Sequence, residues 1–440
     1  MIRFKYILVI LFLTVSIIAR AQQDSVLNLQ QCLAIAIKNN LTVQQTAITA
    51  ERDRIGLVQS KDNIIPSIYG QVQRDYTTGR TVNPVTNTYV NQSVTYDNYA
   101  LQGNVTLFNG FALQNAIKQA SLQYQSGKMA FQAAKDVVTV NVITSYLQVL
   151  DAQAILNQTK SQLSVAKESD DRGEILEKEG ANKQASDIYD LRGSLQSANV
   201  NYVTAQNSLN AAMLNLFQVM NVPYQPKTSL QPLNADDLRG DKDVTPSEVY
   251  ETALNQLANV KAATLARQSA EKEVKYYKGL LLPSLGVGYG VTTNYSNSNP
   301  ISYSNQFSNN YGTYIGLGLT IPIFTNGLKR NAVSLAKLDL LNAQEIEENT
   351  KIVLKQSVEQ AYYNMISAYN KYQALDAEST AYTESFRISK IRFESGVLTS
   401  VDYITSKNNM DAANLNLISA RYDYFIYSKI LDYYQGKLSF

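Results

Sequence analysis

Side chains able to make or break bonds are scarce in this chain, and the scarcity narrows what it does. Histidine is absent and Cys32 is the only cysteine, so the usual transition-metal ligands and the commonest general base are missing. Aspartate and glutamate are scattered along stretches that read as exposed helix faces, and no glycine-rich phosphate loop follows a strand. No enzymatic site, metal or cofactor is therefore expected. Cys32 cannot form an intrachain disulfide, and it reads as a small buried side chain on a helix. Asp187 and Asp402 read as acids near helix N-termini, favoured there by the helix dipole, so their available chemistry is electrostatic.

The first 21 residues have the form of a secretory leader. Arg3 and Lys5 are followed by the apolar run Ile7 to Ile18 and by Ala19-Arg20-Ala21, a small-x-small cleavage site. Those twelve residues are too few for a helical membrane span, which needs about 20. Cys32 stands eleven residues beyond the expected cut, so the mature chain does not start as a lipoprotein does. Without Arg3, Lys5 and Arg20, 36 basic residues face 37 acidic ones. Nucleic acid binding, which needs clustered positive charge, is not expected. After Ile18 no apolar stretch reaches helical spanning length, so any membrane crossing must use strands.

An internal repeat recurs at an offset of 216 to 217 residues. Ile64-Ile65-Pro66-Ser67 matches Leu281-Leu282-Pro283-Ser284, and Phe108-Asn109-Gly110 matches Phe324-Thr325-Asn326-Gly327. Tyr146 matches Tyr362 and Gly180 matches Gly396. The expected organisation is a leader over 1–21, a first repeat over 22–220, a linker over 221–243 that straps the outside, and a second repeat over 244–440. Each repeat reads as helix, hairpin (67–108 and 284–324), long helix and shorter helix. Prolines keep to turns, ends and linker, and Pro246 suits the first turn of a helix begun by Thr245.

The long helices are expected over 110–177 and 326–392, the latter about 100 Å long at 1.5 Å per residue, beyond what a compact domain buries. Leu354, Val358, Ala361, Met365, Ala368, Tyr372 and Leu375 alternate steps of four and three, as do Val138, Val142, Ser145, Val149, Ala152 and Leu156. Sustained heptads mean helices that wind around neighbours as in a coiled coil. The shorter helices are expected over 24–62, 181–220, 246–280 and 397–436. Two placed end to end match one long helix, an arithmetic that suits a cylinder wall.

Four segments alternate with period two, each about 10 residues long, the length of a tilted membrane strand. The residues read as facing lipid are Leu101, Val105, Leu107, Leu285, Val287, Ile315, Leu317 and Leu319, interleaved with small or polar residues suited to a water-filled lumen. The segment from Ile68 to Tyr76 fits least well, because Arg74 falls on its apolar side. The competing reading is a soluble hairpin packed on a helix. Four strands cannot close a membrane barrel, since the smallest have 8. Two copies would supply eight strands and three would supply twelve, and the residues do not choose. Tyrosines cluster near the hairpin tips as an interfacial girdle would, and the polar loops 78–96 and 296–310 read as exposed outer turns.

In order and duplicated spacing, the Pro-Ser strand entries, Asn-Gly strand exits and helical hairpins resemble the TolC-like outer membrane factor family, from Leu29 to about Tyr434. The fold class is then mainly α with membrane β. The resemblance implies a homotrimer in which four strands per chain build a twelve-stranded β-barrel, continuous with a long periplasmic α-helical coiled-coil barrel. It implies a passive duct for efflux or type I secretion, with a periplasmic adaptor (membrane fusion) protein and an inner membrane transporter as partners and the outer membrane as its lipid. It also implies adaptor contact at the helix-hairpin tips near Gly180, Gly396 and Val397, and a periplasmic gate. At the gate, Asp402 from three protomers would form a carboxylate ring, with Asp187 nearby. Two positions depart from the family pattern: Thr405 stands where a second acid is usual, and Leu398 where an arginine latches the closed state. That puts an Asp187 salt-bridge latch in doubt, and Lys183 and Arg392 are the substitutes at hand. A pore-less periplasmic coiled-coil scaffold or adaptor is the alternative from another class; it accounts for the heptads but not for the four alternating segments.

Overall fold

A computed structural model describes residues 26–83, 86–179, 186–233 and 243–437. The expected leader, Gly180, Lys183 and much of the linker lie outside the described residues. The chain order is β1 (Val26–Leu27), α1 (Leu29–Asn39), α2 (Leu41–Asp62), β2 (Ser67–Thr77), β3 (Arg80–Val82), β4 (Tyr89–Asn91), β5 (Val94–Phe108), α3 (Ala112–Lys178) and α4 (Ser186–Val219). It continues with β6 (Ser229–Leu230), α5 (Pro246–Gln256), α6 (Ala258–Gly279), β7 (Ser284–Ser296), α7 (Tyr303–Asn309), β8 (Gly312–Thr320), α8 (Leu328–Glu394) and α9 (Ser400–Tyr434). No described helix is long and apolar enough to cross a membrane.

Local signals explain the helix ends. Asn28 with Gln31, and Thr245 with Glu248, form capping boxes that satisfy orphan N–H groups at the starts of α1 and α5, with Pro246 in the first turn. The stretches expected as single helices over 24–62 and 246–280 are each broken by one extended residue, Asn40 (ψ 122°) and Leu257 (ψ 136°). Nothing in periodicity announces a one-residue break, because the hydrophobic pattern resumes beyond it. Strand exits turn into α3 and α8 through Gly110 and Gly327, both left-handed, a conformation that glycine adopts without Cβ strain.

The chain divides into two compact units. One, from Ala47–Ala130 and Asn259–Thr350, holds a four-stranded antiparallel sheet in the order β2-β5-β7-β8. The central β5–β7 pairing joins the two hairpins. β8 stops at Thr320 rather than continuing to Ile323, since Pro322 has no N–H to add to a ladder. Below the sheet, Ser126 and Ser269 donate to the carbonyls of Ala262 and Gln119, tying α3 to α6. Glu347 accepts from Arg267 at 2.6 Å and from Thr264 at 2.9 Å, tying α8 to α6.

The other unit, from Met1–Thr46, Phe131–Ala258 and Lys351–Phe440, is mainly helical among its described residues. Its core is the heptad seam: Val138, Val142, Ser145, Val149, Ala152 and Leu156 on α3 and Leu354, Val358, Ala361, Met365 and Ala368 on α8 are all buried. Tyr372 and Leu375 are half-buried. β1 and β6 form a short parallel ladder, which the fully buried Tyr146 holds by donating to the Gln231 carbonyl at 2.6 Å. Burial drives the Tyr146 hydroxyl well above the usual tyrosine range, so it stays a neutral donor. Cys32 is buried on α1, its thiol pushed up to about 11 by burial and so inert.

Candidate functional site

Two regions carry the residues that the sequence singles out, one in each unit. On the sheet, register decides which side chains share a face, because directly opposed residues point the same way. Leu101 opposes Val291, Val105 opposes Val287, Val287 opposes Leu317, Leu285 opposes Leu319, and Tyr289 opposes Ile315. Leu101, Val105, Leu285, Val287, Ile315, Leu317 and Leu319 therefore lie on one face. Ile315 and Leu317 are 80% and 75% exposed in the single chain. The opposite face carries Gln102, Asn104, Thr106, Gly286, Gly288, Thr292, Gly316, Gly318 and Thr320. A register shift between Thr106 and Phe108 sets Phe108 opposite Leu285 and leaves Leu107 as the extra, exposed residue of a bulge.

Arg74, out of pattern on an apolar face, has a direct cross-strand partner in Asp97. Its Nε and Nη2 donate to the two carboxylate oxygens at 2.6 Å each, a bidentate fork. The stretch expected as an exposed turn over 296–310 contains α7, which folds back over this end of the sheet. Tyr303 packs on Tyr295 with ring centroids 4.7 Å apart, Phe307 meets Tyr99 edge-on at 5.5 Å, and the buried Gln306 amide satisfies the Ser296 backbone in both directions. The missed signals were the Arg74 and Asp97 parity match and the Tyr303–Phe307 spacing of four.

At the hairpin tip, α8 ends in a Schellman turn. Val397 N–H donates to Arg392 O at 2.9 Å and Gly396 N–H to Phe393 O at 3.0 Å, with Gly396 left-handed at φ 74°. Val397 is exposed at the turn. Thr399 caps α9: its hydroxyl accepts from Asp402 N–H at 3.2 Å and donates to Asp402 Oδ2 at 2.8 Å. Asp402 is thus an exposed first-turn acid. Thr405 donates to Val401 O within its own helix. Leu398 packs with Phe393, Ile404 and Met410 around the buried cluster of Leu191, Phe386 and Tyr403.

One contact across the two helical hairpins is made by Ser400, fully buried at the start of α9. Its Oγ lies 2.8 Å from Asp187 Oδ1 and 3.3 Å from Asp190 Oδ2, both in the first turns of α4. Nearby, Arg192 pairs with Glu174 at 3.0 Å, and Arg172 reaches the Glu394 carbonyl at 3.2 Å. Tyr403, its hydroxyl 3.0 Å from Ser169, stacks on Phe393 at 4.5 Å, and burial raises its pKa. Lys407 is buried against Asp411, whose carboxyl is raised by burial despite the pairing. Asp187 therefore joins a clasp, while Asp402, Thr405 and Leu398 do not meet it. Serine at 400 carried no signal in the sequence, because its role depends on a partner 213 residues away.

Among the described residues no group of acids or cysteine could hold a metal. A sheet apolar on one face and polar on the other in one unit, and heptad helices in the other, define a protein with membrane-type strands and coiled-coil-type helices. Residues 249–433 match the outer membrane efflux protein family. The chain is 24% identical to outer membrane protein TolC of Salmonella enteritidis over 348 residues, 77% of this chain and 69% of that protein. It is 22% identical to outer membrane efflux protein BepC of Brucella suis biovar 1 over 418 residues, 92% and 85% of the two chains. Its fold matches the open state of the Neisseria gonorrhoeae MtrE outer membrane channel with a TM-score of 0.77 at 18% identity, over 93% of this chain and 88% of that one. The chain is thus similar to the TolC-like outer membrane factors in sequence and in fold. These likenesses support an outer membrane protein of a Gram-negative bacterium that extends into the periplasm, a channel of the efflux type.

Proposed function

We propose that this chain is one protomer of a homotrimeric, passive export duct of a tripartite efflux or type I secretion system. Three sheets join β8 of one copy to β2 of the next as a twelve-stranded barrel, with Leu101, Val105, Leu107, Leu285, Val287, Ile315, Leu317 and Leu319 toward lipid. The observation that carries this reading is a four-stranded sheet with two open edges and a mainly apolar face on which Leu101, Ile315, Leu317 and Leu319 stand exposed. An edge strand that exposes its hydrogen-bonding groups beside apolar side chains is an aggregation hazard unless another strand seals it. Heptad-spaced Leu41, Ile48 and Ile55, exposed on α2, support the same conclusion for the helices, since they offer a seam to another copy. A pore-less periplasmic scaffold leaves the sheet face unexplained.

Opening occurs at the hairpin tips, driven by a periplasmic adaptor that contacts the turns at Gly180, Gly396 and Val397 and by an inner membrane transporter. Asp402 contributes a carboxylate to a cation-attracting ring, and the Ser400 clasp to Asp187 holds the tip closed in place of a salt bridge. The test is an unheated detergent gel of the outer membrane fraction followed by planar bilayer recording. The expected result is a trimer that passes ions, with cation block weakened by Asp402→Ala. A freely soluble periplasmic species overturns the duct, and unchanged block removes Asp402 from the gate.

A further inference from the structure

The Arg74–Asp97 pair is asymmetric in exposure: Asp97 is 1% exposed and Arg74 66%. The carboxylate is buried beneath the guanidinium, and because the fork uses Nε and Nη2, the Nη1 edge points away from Asp97. The face of the sheet that carries this cation is mainly apolar, Thr293 and Thr313 aside, so the pair presents outward a donor with no partner chemistry in hydrocarbon.

Its height matters. The row Phe108, Leu285 and Leu319 begins the apolar band, and the row Arg74, Asp97 and Tyr295 stands ten residues further along β7. At 3.3 Å per residue and a tilt of about 40°, that separation is roughly 25 Å along the barrel axis, the height of the apolar band in outer membrane barrels. Arg74 therefore stands at the far rim of the band, on the end of the sheet away from the strand–helix junctions. Tyr99, Tyr295, Tyr303 and Phe307 gather at the same level, with the Tyr99 and Tyr303 hydroxyls 2.7 Å apart and both phenols within electrostatic range of Arg74. Aromatic side chains of this kind mark the headgroup layer.

We infer that Arg74, backed by Asp97 and flanked by the Tyr99–Tyr303 pair, seats the phosphate of an outer-leaflet lipid headgroup. A guanidinium recognises phosphate through short, charge-assisted hydrogen bonds, and burial of Asp97 fixes its plane so that little is lost on binding. The short helix α7 forms the other wall of the seat. The inference rests on the reading that this sheet face meets lipid.

The experiment purifies the protein from its membrane into detergent, adds phosphatidylglycerol or phosphatidylcholine, and counts retained lipids by native mass spectrometry. Wild-type protein retains phosphatidylglycerol preferentially. Arg74→Gln/Asp97→Asn, which removes both charges and strands neither, lowers that retention about tenfold, and Arg74→Lys lowers it less. Equal retention by the double variant overturns the seat, and release by millimolar inorganic phosphate makes it a general anion site and overturns the lipid assignment. Spin labels at Leu101 and Leu317 in the same preparation separate the two readings. If they report hydrocarbon while retention is unchanged, only the seat fails; if they report water, the lipid-facing sheet itself fails.

Discussion

On the sheet, Ile315 and Leu317 stand exposed in a single chain, whereas at the hairpin tip Leu191, Phe386 and Tyr403 are buried within it. The sheet leaves two edges open and much of an apolar face bare, and the Arg74–Asp97 ion pair on that face sits at one rim. The tip closes on itself, with a capped helix, a Schellman turn, an aromatic stack and a hydroxyl shared between two carboxylates. The first region is organised for an environment outside the chain, and the second is held by internal contacts of modest strength. A region of the first kind is fixed once it is solvated by lipid and by its own copies. A region of the second kind can open at the cost of a few contacts, as the proposed gate requires.

The comparison breaks first on the sheet. Leu317→Arg is expected to cost about 2–4 kcal/mol per chain in a bilayer, while Gln102→Arg, on the other face, is expected to be near neutral. Urea unfolding in liposomes checks it; equal costs for the two would mean that the faces are not distinguished by lipid. At the tip, Phe386→Ala should destabilise the hairpin cluster by about 3 kcal/mol through lost burial and a cavity. Hydrogen exchange should quicken over residues 386–410 and leave β5 and β7 unchanged. Ser400→Ala should loosen the tip by about 1 kcal/mol, one hydrogen bond to a charged group. It is expected to raise resting conductance in planar bilayers, and an unchanged trace would remove the clasp.

A pH-dependent effect concerns Asp151 on α3. Burial, reinforced by the like charge of Asp423, pushes its carboxyl up to about 6, and its Oδ1 is buried without a hydrogen-bond partner. An unfolded aspartate titrates near 4. The folded chain therefore holds the proton between these values, so this site's stabilisation is complete below about 4 and is lost as pH rises to about 6. Asp151→Asn should raise Tm at pH 7 by about 2 °C and flatten its pH dependence in that window. Thermal melts from pH 4 to 7 decide it, and a wild-type slope of the opposite sign would refute the assignment.

Much of the architecture was legible because it rests on periods. The seam from Val138 to Leu156 and its counterpart from Leu354 to Ala368 are buried as their spacing implies, since a side chain's face on a helix or strand follows from position alone. The long helices begin and end within two residues of their expected bounds for the same reason. The breaks at Asn40 and Leu257 were hidden because one extended residue leaves the hydrophobic pattern almost undisturbed. Helix α7 was hidden by a composition of Ser, Asn and Tyr that serves equally well in a turn.

What the sequence determined by itself is everything that depends on local order: two faces on each strand, heptads along the helices, caps at Asn28, Thr245 and Thr399, and a left-handed glycine at the turn after α8. What only the tertiary structure decided is which distant groups meet. Asp97 opposite Arg74 and Asp187 beside Ser400 are pairings set by strand register and helix packing, across 23 and 213 residues. The physical reason is that covalent geometry propagates a direction over a few residues, whereas a contact between remote side chains exists only once the chain has folded and brought both there.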